Sequence, residues 1–126
     1  MTDSLSRLYN AVHDAKTRDP ASSRTARLTR EGVAKMAKKL VEEAAEVGLD
    51  AVQGDRGQIV NESADLLYHL VVLWAETGVA PDDVWKEMDR REQLFGIAEK
   101  LPKVGDKGRR PLAVSERSRR SLRRDG

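Results

Sequence analysis

The 126-residue chain predicts an all-α protein, and three observations carry that prediction. No segment alternates apolar and polar residues as a half-buried strand would. Four stretches instead repeat apolar residues at helical spacing, each bounded by Gly, Pro or a Ser/Thr cluster. Most connections between them are short, which makes successive helices antiparallel neighbours and predicts an antiparallel bundle of about four helices.

The first helix is expected from Ser4 to about Asp14, where Leu5, Leu8, Tyr9 and Val12 fall at i, i+3, i+4 and i+7. "TRDPASSRT" follows and reads as a loop, with Pro20 and a cluster of hydroxyls. A long second helix is expected from about Thr29 to Gln53. "QGDRG" then makes a tight connection, with two glycines around Asp55. The third helix is expected from Gln58 to Thr77, stopping at Gly78. "APDDVWKEM" restarts a fourth: Pro81 suits the first helical position, and Asp82 and Asp83 favour an N-terminus. Ala80 is a poor cap there. This helix should end near Phe95, before Gly96.

Length and charge divide the chain into a domain over 1–102 and a basic tail over 103–126. The first part holds 14 Lys/Arg against 18 Asp/Glu, the second 9 against 3. The tail has little apolar periodicity and reads as a flexible, solvated extension, with one helical stretch expected around Ser115 to Arg124. Its arginines lack the interleaved aromatics of a sequence-reading nucleic-acid site, so nucleic acid is an expected partner only through this tail, if at all. The absence of cysteine excludes disulfides, thiolate metal sites and Cys nucleophiles, and suits a reducing compartment. No apolar run reaches the roughly 20 residues that span a bilayer, and "MTDSLSRLYN" has neither the apolar core of a signal peptide nor the acid-free composition of a transit peptide. A cytoplasmic protein with no membrane partner is expected.

The second and third helices place acids beside apolar faces. At about 100° per residue, Val33, Ala37, Leu40, Ala44, Val47 and Ala51 form one narrow stripe, flanked by Lys39, Glu43, Glu46 and Asp50. Glu42 lies further round, toward solvent or a neighbouring chain. The third helix is apolar nearly all round, which predicts burial, and its interruptions Glu62, Asp65, His69 and Glu76 share one edge. If the two polar edges face one another, Glu43, Glu46, Glu62 and Asp65 converge. Partly buried carboxylates repel unless something compensates them. A hard divalent cation does so, Mg²⁺ or Mn²⁺ being favoured by oxygen-only ligands, and Mg²⁺ recruits phosphate oxygens. The plainer reading is a set of surface ion pairs, Lys38 with Glu42 and Lys39 with Glu43, worth a few tenths of a kcal/mol each.

"EEAAE", fifteen residues, then "ESAD" resembles the acidic metal signature of the MazG-like all-α nucleoside triphosphate pyrophosphatases. The flanks "RDPASSRTARL", "KKLVEEAAEV", "ESADLLYHLVVL" and "PDDVWKEMDRR" occur in the order and spacing of the phosphoribosyl-ATP pyrophosphatase family, over roughly Leu5 to Arg91. The resemblance implies Mg²⁺-dependent hydrolysis of the α–β phosphoanhydride of phosphoribosyl-ATP in histidine biosynthesis, by a homodimer. It implies Glu43, Glu46, Glu62 and Asp65 as metal ligands. Glu42 would bind a second metal or orient the attacking water, beside Glu43 in the catalytic pair. Lys38 and Lys39 would contact phosphate oxygens. Ser22, Ser23 and Thr25 would donate to phosphate or ribose, the alternative being ordinary loop polars, and Arg24 and Arg27 stand as phosphate contacts or surface charge. His69, one turn from Asp65, is expected to hydrogen-bond a carboxylate and orient it toward the metal. Val41 stands where the family has glycine, Arg24 where it has an aromatic, and the chain continues past the family's usual end. These departures leave two alternatives: a house-cleaning pyrophosphohydrolase of the same fold, or a non-catalytic helical dimer whose basic tail binds nucleic acid.

Overall fold

The computed structural model describes residues 3–95, and there the chain is all-helical: α1 Ser4–Ala15, α2 Arg24–Glu31, α3 Val33–Gln53, α4 Arg56–Thr77 and α5 Pro81–Phe95. Helices α1 to α4 belong to one compact unit, Met1–Val84, whereas α5 from Trp85 onward belongs to a second. The tail over 103–126, with its expected helical stretch, lies outside the described residues. Among the described residues no helix is long and apolar enough to cross a membrane.

Five helices stand where four are expected, and Gly32 is the reason. The expected second helix begins near Thr29 and runs through this position. Gly32 instead has φ 98° and ψ 172°, a conformation essentially confined to glycine, so it ends α2 and precedes α3 without a linker. The expected loop is correspondingly shorter. Ser23 caps α2 by accepting from the Ala26 N–H at 3.1 Å, and Arg24 and Thr25 lie in the first helical turn. Asp19 shapes what remains of the loop, its carboxylate accepting from Ala21 N and its carbonyl from Ser22 N and Ser23 N.

The other boundaries follow local chemistry. Asp3 caps α1 through the Ser6 N–H at 2.8 Å. Val12 is buried, and Leu5, Leu8 and Tyr9 pack beside it against the core, as their spacing predicts. Gly54 takes the left-handed conformation that closes α3, and Asp55 caps α4 through the Gln58 N–H. Two residues therefore separate two long helices, which pair as an antiparallel hairpin. At α5 the weak cap Ala80 is compensated by Asp83, whose Oδ2 accepts from the Ala80 N–H at 2.9 Å, half of a capping box.

The core is small and sits at one end of the α3–α4 hairpin. Val12, Leu28, Met36, Val71, Val72 and Ala75 form it. They come from α1, α2, the start of α3 and the second half of α4. This corrects two expectations. The Val33, Ala37, Leu40, Ala44, Val47, Ala51 stripe is not a core face of the single chain: Ala37, Ala44 and Ala51 are exposed and Val33 is 45% exposed. Nor is α4 buried along its length, since Val60 and Leu67 remain exposed. Along the rest of the hairpin Leu40, Val47, Ile59, Leu66 and Leu70 are half-buried, while Val41, Leu49, Val60 and Val52 stay exposed, Val52 most of all at 86%.

A candidate metal centre beside a basic cavity

The polar edges of α3 and α4 meet. Carboxylate oxygens of Glu43, Glu62 and Asp65 lie within 4.8 Å of one another, and so do those of Glu46, Asp50 and Glu62. The four acids expected to converge are thus brought together, in two groups that share Glu62. Asp50 joins them. Its sequence signal is the same as theirs, four residues beyond Glu46 on the flank of the same stripe. Glu42 is exposed, belongs to neither group and stands 3.9 Å from Lys39. Lys39 therefore pairs with Glu42 across three residues rather than with Glu43 across four.

Crowding marks the electrostatics of this cluster. The Glu62 carboxyl is pushed above its ordinary value of 4.5, chiefly by its hydrogen bond with Glu43, then by burial and by the charges of Glu43, Asp65 and Glu46. One of two hydrogen-bonded carboxyls must carry a proton, so the group is held together at the expense of ionisation. Asp50 Oδ2 is shut off from solvent and has no hydrogen-bond partner. A donor set made only of carboxylate oxygens, with one raised carboxyl and one orphaned oxygen, fits a hard divalent cation. The residues available to hold it are Glu43, Glu62 and Asp65, with Glu46 and Asp50 on the other side of Glu62.

His69 is 1% exposed and faces a different partner from the one expected. Its Nε2 lies 3.0 Å from Arg24 Nη2. A guanidinium only donates, so Nε2 accepts and the ring proton of the neutral imidazole sits on Nδ1. The expected bond to a carboxylate is replaced by one to an arginine. Burial lowers the His69 pKa, Arg24 and Lys39 lower it further, and Glu43 and Asp65 oppose them. The Arg24 guanidinium lies 4.7 Å over the Tyr68 ring, a planar group where the family resemblance expects an aromatic. Tyr68 in turn shares a 2.7 Å hydrogen bond between its hydroxyl and Thr25 Oγ1. Arg24 is therefore fixed by an acceptor at one side and a π face below.

Next to this lies a cavity of about 290 Å³ lined by Arg24, Arg27, Leu28, Glu31, Lys35, Lys39 and His69. Its walls follow helical geometry: positions 24, 27, 28 and 31 are one face of α2, and Lys35 and Lys39 are one turn apart on α3. Of the substrate-binding residues expected from sequence, Arg24 and Lys39 line it, as does Arg27. Ser22, Ser23, Thr25 and Lys38 do not. The Ser23 hydroxyl is engaged in capping, Thr25 is buried on Tyr68, Ser22 donates to Asp19 O and Lys38 is exposed. Lys35 is not legible in the sequence as a lining residue, because its place on the wall depends on the break at Gly32 between α2 and α3.

The family model for phosphoribosyl-ATP pyrophosphohydrolase matches residues 5–92. The chain is similar to phosphoribosyl-ATP pyrophosphatase 2 of Bradyrhizobium diazoefficiens, 58% identical across 92% of this chain and 94% of the relative. It is 66% identical to phosphoribosyl-ATP pyrophosphatase 2 of Rhodopseudomonas palustris across 82% and 79%. It is 48% identical to the phosphoribosyl-ATP pyrophosphatase of Gluconobacter oxydans across 82% and 77%. The family model covers most of the chain, and these relatives align over most of their length, so the chain belongs to the phosphoribosyl-ATP pyrophosphohydrolase family.

Proposed function

We propose that the chain hydrolyses the α–β phosphoanhydride of phosphoribosyl-ATP, releasing phosphoribosyl-AMP and pyrophosphate in histidine biosynthesis, with Mg²⁺ and as a homodimer. The observation that carries this reading is the pair of carboxylate groups sharing Glu62, set one helical turn along α3 and α4 from a basic cavity that α2 completes. Bound Mg²⁺ supplies charge neutralisation on the phosphate oxygens and a water of lowered pKa. Glu43, Glu46, Glu62 and Asp65 are the residues that would hold it. To do so the Glu43–Glu62 pair would give up its shared proton, and the charge of the cation would take over from that proton in offsetting the repulsion that raises Glu62. In this reading Glu42, which lies outside both groups, orients the attacking water rather than holding the metal. Lys39 and Arg24 reach phosphate oxygens from the cavity wall. His69 stays neutral and holds Arg24 in place.

The dimer is supported by apolar side chains that the single chain leaves in water. Val41 is 68% exposed, Leu49 59%, Val52 86% and Val60 57%, all on α3 and α4. A hairpin with that much exposed aliphatic surface is typical of an interface rather than of a solvated face.

Pyrophosphate release in Mg²⁺ should strongly favour phosphoribosyl-ATP over a panel of nucleoside triphosphates at equal concentration. Glu43→Ala and Asp65→Ala should each abolish it. Full turnover in either variant would sink the site assignment. Preferential turnover of other triphosphates would favour the second reading, a house-cleaning enzyme. That alternative is motivated by Arg24, which places a cation where the family resemblance expects an aromatic.

A further inference from the structure

The basic cavity has a chemistry of its own. Arg24, Arg27, Lys35 and Lys39 surround it, and Glu31 is the one carboxylate on its wall among the described residues. Four cations drawn to a small space repel one another unless an anion sits among them. Two of the four are already held in position: Arg24 by His69 and Tyr68, and Arg27 by a 2.9 Å bond from Nη1 to Pro20 O. Forks fixed in this way lose little freedom when they bind phosphate oxygens. Among the described residues the wall has no Phe, Tyr or Trp to stack a base. Its volume falls at the bottom of the roughly 300–1,000 Å³ range of sites for drug-sized ligands, which suits a small anion better than a whole nucleotide.

Position then selects among small anions. Along α3 the residues 35, 39, 43, 46 and 50 stay within an arc of about 80°, at about 100° per residue. They read Lys, Lys, Glu, Glu, Asp, so one helix edge carries a basic half and an acidic half. Lys39 and Glu43 are separated by about 6 Å of helix rise. On α4 His69 of the cavity is likewise one turn from Asp65 of the acid cluster. An anion in the cavity therefore lies next to whatever the carboxylates hold.

We propose that this cavity seats the leaving pyrophosphate, the β- and γ-phosphates of the substrate, with Arg24, Arg27, Lys35 and Lys39 as its counter-charges. The inference rests on the reading of the acid cluster as the site of α–β cleavage. The substrate carries a second phosphate source, the monoester on its phosphoribosyl arm. That group is separated from the α-phosphate by two riboses and a purine, which is more than one helical turn can span. The substrate then lies with its polyphosphate toward the N-terminus of α3 and its nucleoside toward Gly54. Water adds to the α-phosphorus and releases its proton to solvent. The bond from that phosphorus to the α–β bridging oxygen breaks, and the electron pair stays on that oxygen, which leaves as a terminal oxygen of pyrophosphate where the cavity's cations meet the new charge.

The test is inhibition of the full-length enzyme by inorganic pyrophosphate and, separately, by ribose 5-phosphate, at saturating Mg²⁺. Lys35→Ala and Arg27→Ala should each weaken pyrophosphate inhibition about tenfold, the loss expected for one charge-assisted contact. Lys35→Arg should restore most of it, ribose 5-phosphate inhibition should not change, and Mn²⁺ binding followed by electron paramagnetic resonance should remain wild-type. Unchanged pyrophosphate inhibition in both alanine variants overturns the proposal. Loss of ribose 5-phosphate inhibition instead would assign the cavity to the phosphoribosyl arm and also overturn it. A wild-type protein that ignores phosphoribosyl-ATP, yet binds pyrophosphate through Lys35, would refute the substrate reading and leave the cavity assignment standing for another triphosphate.

Discussion

Glu62 concentrates the electrostatic tension of the site in one carboxyl. Its raised pKa means the native chain keeps a proton at pH values where the unfolded chain has lost it. Metal-free protein should therefore gain stability as pH falls toward 4.5 and lose it as pH rises through the folded pKa. Thermal melts in chelator across that window should show the trend, and Glu62→Gln should flatten it. If the cluster holds the metal, the same variant should weaken Mn²⁺ binding by calorimetry about tenfold or more, because it removes the carboxylate that both groups share. Tyr68 offers a separate residue-level check. Tyr68→Phe leaves the buried Thr25 hydroxyl without its 2.7 Å partner, at a cost of about 1–2 kcal/mol in urea unfolding. Should stability be unaffected, Thr25 must be satisfied some other way.

At the scale of elements, Gly32 decides the fold of the site. No side chain blocks a methyl group there, so Gly32→Ala tests backbone strain alone: at φ 98° it should cost about 1–3 kcal/mol. Helix α5 has its own signature. Glu87 accepts from Arg90 Nε and Nη2 and from Arg91 Nε, and these bonds hold its carboxyl down at about 2. A depressed carboxyl stabilises above its unfolded value of 4.5, and that contribution is lost as pH falls from there to about 2. Helicity should therefore drop less on acidification in Glu87→Gln than in the parent chain. Helices α1, α4 and α5 were legible because apolar spacing and cap residues agree within them. Helix α2 was not: "RTARLTRE" has little apolar content, and the hydroxyls before it resemble a loop as much as a cap. The acids were legible from spacing, since 43, 46, 62 and 65 need only two facing helices. The cavity was not, because it depends on a turn at one glycine.

Across the whole molecule, the core gathers at one end of the α3–α4 hairpin and the carboxylates lie beyond it, among side chains the single chain leaves exposed. If those faces pair, the protein should sediment at twice the mass of one chain, and Val52→Lys with Leu49→Glu should return it to the monomer. A monomeric wild-type protein would remove the support for a dimer. Stability is also unevenly distributed, and α2 is where this has a consequence. Eight residues are too few to remain helical in isolation, so α2 keeps its shape only through its Ser23 cap and the packing of Thr25, Ala26 and Leu28. Half of the cavity wall is thus mounted on the segment with the least reserve against local opening. Its amides should exchange with deuterium sooner than those in the middle of α4, and an anion bridging Arg24 and Arg27 to Lys35 should slow that exchange across Arg24–Glu31.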